Sequence, residues 1–263
     1  MLLFLAGFCI ALAVLTPVCW LIRRTGRGRD NAVQKQSGPD QLEELSLVTG
    51  GLAHEIKNPL STIKVNLKLA AEDIGGREHN SARALRKISV IQKETDRIEK
   101  ILDDFLRYVG KTELNSSSVD INELMSDMID FYSAQAAEHS ITIRQGPAVQ
   151  PLICKADPVM LKQVILNLFI NAQQAMPNGG ELIIRTSRQA DDIVIEISDT
   201  GVGIDKDKLG LIFKAYYSTR LSGSGLGLST AKKIVEAHGG AMTVNSEPGK
   251  GTSFLIKLPL QPV

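Results

Sequence analysis

Cysteine is almost absent from this chain. Three occur, at positions 9, 19 and 154. They show no CxxC or other metal-ligand spacing, and they make no disulfide framework. An excess of charge of one sign is missing too. The 30 basic and 29 acidic residues leave a formal net charge of +1, so there is no electrostatic case for nucleic acid as a partner. Aromatics are few, with Trp20 the only tryptophan, and no segment repeats. What remains is a chain of 263 residues, long enough for one or two domains with real cores.

One long apolar run is present. Residues 2–22, LLFLAGFCIALAVLTPVCWLI, hold no charge. At ~1.5 Å per residue they reach across a hydrocarbon core of about 30 Å. A cleaved signal peptide would put basic residues before the run, whereas Arg23, Arg24, Arg27 and Arg29 follow it. The pattern predicts a retained single-pass anchor over 1–22 in the inner (cytoplasmic) membrane. By the positive-inside rule everything after it is cytoplasmic. Residues 23–40, rich in Arg, Gly and Gln, read as a linker. So little precedes the run that no external sensor domain is expected.

Residues 41–110 read as a helical hairpin broken near Gly75 and Gly76. Leu45, Leu52, Ile56, Leu60, Ile63, Leu67 and Ala70 recur at threes and fours, and so do Leu85, Ile88, Ile91, Ile98, Ile101, Leu102 and Phe105. Each set is one apolar face. Two helices cannot bury both seams well alone, but two hairpins in a four-helix bundle can, so a homodimer is expected. Within the first helix lies GLAHEIKNPLSTIK, with Pro59 inside it. A proline there removes a backbone hydrogen bond and bends the helix, at a cost of about 3 kcal/mol. His54 lies two residues from Leu52 and from Ile56, about 200° around, so it points away from the seam. Glu55 flanks it, and Asn58 follows one turn on, on the same face. A zinc-protease HExxH is excluded because position 58 is asparagine.

From Thr112 onward short strands alternate with helices, an α+β or α/β pattern. In DPVMLKQVILNLFINAQQAM (157–176), Asp157 reads as an N-cap and Pro158 as the first helical residue. Beside the apolar face runs a stripe of Gln163, Asn167, Asn171 and Gln174. It is either a solvated face or a ligand site, and side-chain carbonyls suit a hard cation such as Mg²⁺ with phosphate oxygens. IVIEISDTGVG (193–203) alternates as a half-buried strand with Asp199 on the parity of Ile193, Ile195 and Ile197. A carboxylate on that side needs donors. An adenine amino group is one, and an Asp-Thr-Gly strand cap is the plainer alternative. Gly201 and Gly203 allow close approach of backbone to a ligand. SGSGLGLSTAKKIVEAHGG (222–240) places Gly223, Gly225 and Gly227 before a helix, where backbone amides favour phosphate.

Taken together, these blocks resemble a bacterial two-component sensor histidine kinase of the nitrogen-regulatory branch, over about residues 41–260. HEIKNPL resembles the phosphoacceptor box, NLFINA the asparagine box, DTGVG and GSGLGL the two glycine boxes, and FKAYYSTR (213–220) the phenylalanine box of the ATP lid. The resemblance implies an α+β chain: the membrane helix, a hairpin (41–110) forming a dimeric four-helix bundle, and an α/β sandwich (111–263) of the Bergerat type. It implies ATP and Mg²⁺ as cofactors and the receiver domain of a response regulator as partner. His54 would accept the γ-phosphoryl group, Glu55 would take its proton, and Asn58 would serve dephosphorylation of the regulator. Asn171 would coordinate Mg²⁺, with Asn167 near the phosphates. Asp199 would read adenine, supported by Thr252. Gly201, Gly203, Gly223, Gly225, Leu226 and Gly227 would shape pocket and lid, and Arg220 would act from the lid. Two positions depart from the pattern: Ala215 stands where proline is usual, and Arg220 where lysine is common.

ATPases of the gyrase and chaperone kind share the expected nucleotide fold, but carry a glutamate one turn before the metal asparagine. Here that position is Asn167, which favours transfer to a side chain over hydrolysis. Anti-sigma serine kinases lack the phosphoacceptor helix. No receiver-like segment is seen, so the regulator is expected to be a separate protein.

Overall fold

The computed structural model describes residues 39–75, 81–110, 113–218 and 223–260. The expected membrane span, nearly all of the expected linker, and Arg220 lie outside them. Among the described residues no helix is long and apolar enough to cross a membrane. Residues Glu44–Val263 form one compact unit.

Two long helices come first, α1 (Pro39–Gly75) and α2 (Ser81–Val109). Helix α1 stops at the first glycine of the expected break. It continues through Pro59, whose ring is buried. The Ser61 hydroxyl donates to the Lys57 carbonyl at 2.8 Å and the Asn66 amide to the Thr62 carbonyl at 2.9 Å. These side-chain bonds lie along the turns around and after the proline. Lys87 and Asp73 pair the two helices. Ala70, Ala84 and Ile101 are buried within the seam, while Leu60, Leu67 and Leu85 are more than half exposed.

The second part is an α/β sandwich. Strands β1 (Ser117–Asp120) and β3 (Ile153–Ala156) pair antiparallel. A five-stranded sheet holds β2 (Ile141–Gly146), β4 (Gly180–Gln189), β5 (Asp192–Asp199), β7 (Gly251–Pro259) and β6 (Ala241–Glu247), in that order. Only the β2–β4 edge is parallel. Helices α3 (Ile121–Glu138), α4 (Pro158–Ala175) and α6 (Gly227–Ala237) pack with the sheet in one core. A short helix, α5 (Lys206–Leu209), lies between β5 and α6.

Alternation decides which strand residues face the helices. Cross-strand partners on β5 and β7 run Ile193 with Leu258, Ile195 with Ile256, Ile197 with Phe254, and then Asp199 with Thr252. The first three pairs are buried and apolar, and the fourth is buried and polar. The apolar face of the sheet therefore ends in a row of side chains that need polar company.

The N-terminus of α4 is fixed as its sequence predicts. Asp157 accepts from the amides of Val159 and Met160 at 3.0 and 3.1 Å, and also from the Asn115 amide at 2.9 Å. Burial alone would raise the Asp157 pKa, but the backbone donors Met160, Asn115 and Val159 hold the carboxyl below its ordinary value. His238 locks the other end of α6 to the same turn. Its Nε2 accepts the Asp157 amide at 2.9 Å, and its Nδ1 donates to the Ile234 carbonyl at 2.7 Å.

Candidate active site

A cleft opens where the polar row of the sheet meets the polar stripe of α4, half-buried at Asn167 and Asn171 and exposed at Gln174. Its deep end is lined by Asp199, Gly203, Thr252 and Phe254. Asp199 is buried and accepts from the Gly201 amide at 2.8 Å. Thr252 shares a hydrogen bond of 3.0 Å with Ser246, which also bonds the Gly251 carbonyl and the Ile204 amide. Two glycines are compulsory here. A Cβ on Gly203 would stand 2.1 Å from the Glu247 carbonyl oxygen, and one on Gly251 only 1.9 Å from that of Asp199. Both have positive φ, so any side chain would also strain the backbone.

The other end is lined by Asn167, Asn171, Gly223, Gly225 and Gly227, and Asn171 also reaches the deep end. The Asn167 amide donates to the Gly227 carbonyl at 3.1 Å, tying α4 to the first turn of α6. Gly223 and Gly225 precede that turn and Gly227 opens it, and backbone amides at such a helix start suit phosphate. Amide oxygens beside such a turn suit a hard divalent cation and phosphate oxygens, while a buried carboxylate suits an exocyclic amine. The donor set therefore fits a purine nucleotide with Mg²⁺.

Residues 213–218 are the described part of the expected lid, and Tyr217 and Ser218 line both ends of the cleft. The middle of the lid faces the hairpin. Tyr216 has a left-handed φ of 60°, and its ring lies so near α1 that a Cβ on Gly51 would sit 2.4 Å away. Ala215 and Tyr216 pack on a small cluster of Val48, Tyr108 and Leu226. The Tyr216 hydroxyl is buried without a hydrogen-bond partner among the described residues. Burial, and then the charge of Glu55, push its pKa up to about 12.

On the hairpin, His54 and Asn58 are exposed and Glu55 is half-buried. Arg97 of α2 reaches Glu55 at 3.9 Å and Glu94 at 3.8 Å. The fold thus gathers Asn167, Asn171, Asp199, Gly203, Gly223, Gly225, Gly227 and Thr252 around one cleft. Gly201 and Leu226 do not line it: the Gly201 amide donates to Asp199, and Leu226 is buried with Val48 and Tyr108. His54, Glu55 and Asn58 form a separate group on α1, and do not line the cleft. Sequence reasoning missed Lys100 and Asp104 of α2, which do line it. Their four-residue spacing reads as an ordinary solvated helix face.

Residues 44–110 match the family model of the His Kinase A (phospho-acceptor) domain, and residues 156–262 that of the histidine kinase-, DNA gyrase B- and HSP90-like ATPase. The chain belongs to the sensor histidine kinases. It is 35% identical over 258 residues to the sensor histidine kinase ZraS of Klebsiella oxytoca, which covers 97% of this chain and 54% of that protein. The chain spans about half the length of the curated relatives it matches first. Histidine kinase ThkA, solved in complex with the response regulator TrrA, superposes with a TM-score of 0.71 at 25% identity, covering 85% of this chain and 64% of that one. Full-length ShkA with AMPPNP gives 0.62 at 26% identity, over 86% of this chain and 46% of that one. The kinase ATPase model begins at residue 156, yet Val119, Ile121, Leu124 and Tyr132 share the core of the segment it matches.

Proposed function

We propose that this chain is a membrane-anchored kinase that moves the γ-phosphoryl group of ATP to His54. From there it passes to an aspartate on the receiver domain of a separate response regulator. One observation carries this: a single compact unit joins a phospho-acceptor hairpin with an exposed histidine to a cleft built for a nucleotide. In the first step the bond from the γ-phosphorus to the ADP oxygen breaks and a bond to an imidazole nitrogen forms. Glu55 takes the proton that the imidazole gives up. Phosphoryl transfer asks mainly for positioning and charge neutralisation; Asn171 would hold a Mg²⁺ that would supply part of the latter. Asp199 accepts the adenine amine, with Thr252 behind it, and Asn167 lies toward the phosphates. Gly201, Gly203, Gly223, Gly225, Leu226 and Gly227 shape the cleft, and Arg220 adds a lid donor.

In this reading residues 41–110 are the dimerisation and phosphotransfer domain and 111–263 the catalytic domain. The shared core of 117–156 with the rest of the sandwich supports that boundary. The exposed Leu60, Leu67 and Leu85 support a homodimer, and the uncharged run 2–22 supports the anchor. Asn58, exposed one turn past His54, holds a water for dephosphorylating the regulator. Asn58→Ala is expected to keep much of the autophosphorylation and to lose most of the phosphatase activity.

The test is γ-labelled ATP with the purified chain. The label is expected to be acid-labile, alkali-stable and absent from His54→Gln. A His54→Gln protein that labels like the parent overturns the assignment.

A further inference from the structure

Helix α2 of the hairpin borders the phosphate end of the cleft, and this has a chemical consequence. Helix α2 is pinned against the lid and α6 by three unlike contacts. The Ser224 hydroxyl donates to the Asp104 carboxylate at 2.7 Å. The Lys233 ammonium stands 3.7 Å over the Tyr108 ring, a cation–π geometry. Val48, Tyr108 and Leu226 bury one another. Lys100 is one turn before Asp104 on the same face, and both line the cleft beside Asn167, Asn171 and the glycine turn.

A triphosphate brings several negative charges to that end, and a bound Mg²⁺ cancels only two. Low-dielectric clefts need further cationic donors aimed at such charge. Among the described residues Lys100 is the cationic side chain lining this end, and it makes no ion pair there. The lysine at the opposite end, Lys208, is already tied to Asp205. An unpaired ammonium on a flexible stem, held near backbone amides and asparagine amides, is suited to an anion that arrives and leaves.

We propose that Lys100 is a nucleotide-binding residue whose ammonium contacts the terminal phosphate of a nucleoside triphosphate. The hairpin thereby distinguishes a triphosphate from a diphosphate before any transfer. Asp104 is a positioning residue that holds α2 over the cleft through Ser224. This rests on the ATP reading above and adds to it which residue of the hairpin touches the donor.

The experiment measures dissociation constants of ADP and of a non-hydrolysable ATP analogue, each with Mg²⁺, on the full chain in detergent. Lys100→Ala is expected to weaken the triphosphate analogue roughly ten-fold or more, as for a lost hydrogen bond to a charged group, and to leave ADP unchanged. Lys100→Arg restores the preference. Asp104→Ala reduces it, and Asp104→Asn, which still accepts from Ser224, recovers it. Equal weakening of both nucleotides, or of neither, overturns the assignment of Lys100. Asp199→Asn is the control on the underlying reading, because it should lose both nucleotides. If the parent protein binds neither, the nucleotide reading itself has failed. If the parent binds and Asp199→Asn does not, an indifferent Lys100→Ala sinks this inference alone.

Discussion

On β5, Ile193, Ile195 and Ile197 are each 2% exposed or less, whereas Leu60, Leu67 and Leu85 of the hairpin are each more than half exposed. All six belong to regular apolar patterns, so pattern alone does not say where burial comes from. In the sandwich the same chain supplies both sides of the core. In the hairpin one side is missing, and a two-helix seam leaves its outer leucines in water. The difference predicts two kinds of stability. Ile195→Ala should cost about 2–5 kcal/mol by cavity formation, at any protein concentration. Leu67→Ala should cost little in dilute chain and more as concentration rises, since an oligomer stabilises by mass action. Denaturant melts of both variants at two concentrations make the comparison. A Leu67→Ala penalty that ignores concentration would break it.

The lid is where the two regions meet, and Gly51 measures how closely. Its added Cβ would meet the Tyr216 ring at 2.4 Å. The ring cannot retreat easily, because Gly225 packs just as tightly on the Tyr216 backbone. Gly51→Ala should therefore separate hairpin from lid, at a cost of about 1–3 kcal/mol of overpacking. The sandwich core should stay intact. Hydrogen exchange would show α2 amides near Tyr108 losing protection while β5 keeps it. Unchanged protection at Tyr108 would mean that the contact is slack.

Tyr216→Phe probes the same contact in the opposite direction. Removing a buried hydroxyl that lacks a partner lifts a desolvation cost of about 1–3 kcal/mol at most. The ring stays on Gly51, so docking should tighten and hairpin protection rise. The alkaline side gives a second reading. The Tyr216 pKa is about 12, raised mainly by burial, so the folded form holds that proton more firmly than the unfolded chain. The stability it contributes is complete below about pH 10 and is lost as pH rises toward 12. Tyr132 is raised to about 12 by burial too. Tyr216→Phe should remove a late step from the tyrosinate absorbance.

Much of this was legible in one dimension. Asp157 capping α4, Asp199 on the parity of buried isoleucines, and the glycines before α6 are all local statements, and local physics decides them. Ser224 and Asp104 are 120 residues apart, and neither belongs to a pattern. The same holds for Tyr216 on Gly51 and for Lys100 at the cleft. Such contacts depend on how the hairpin folds back on the lid, which no periodicity encodes. The polar row of Asp199 and Thr252 lies between these extremes: its parity was readable from the residues, while the support from Thr252 followed only from the family resemblance.

The smallest expected effect concerns Asp157. Its carboxyl lies below the ordinary carboxylate range, because the Met160, Asn115 and Val159 amides outweigh the effect of burial. The folded state therefore binds that proton more weakly than the unfolded chain, whose aspartates titrate near 3.9 as a rough reference. The contribution is fully present above that value and is lost as pH falls through the depressed one. Asp157→Asn keeps a good N-cap, since asparagine and aspartate cap about equally well. At neutral pH the variant should differ by no more than about 1 kcal/mol. Below about pH 4 the two should converge, because only the parent loses a charge there. Thermal melts of both proteins from pH 7 to pH 3 read the difference. If the variant falls with acid as steeply as the parent, the charge on Asp157 is not what ties α4 to the Asn115 turn.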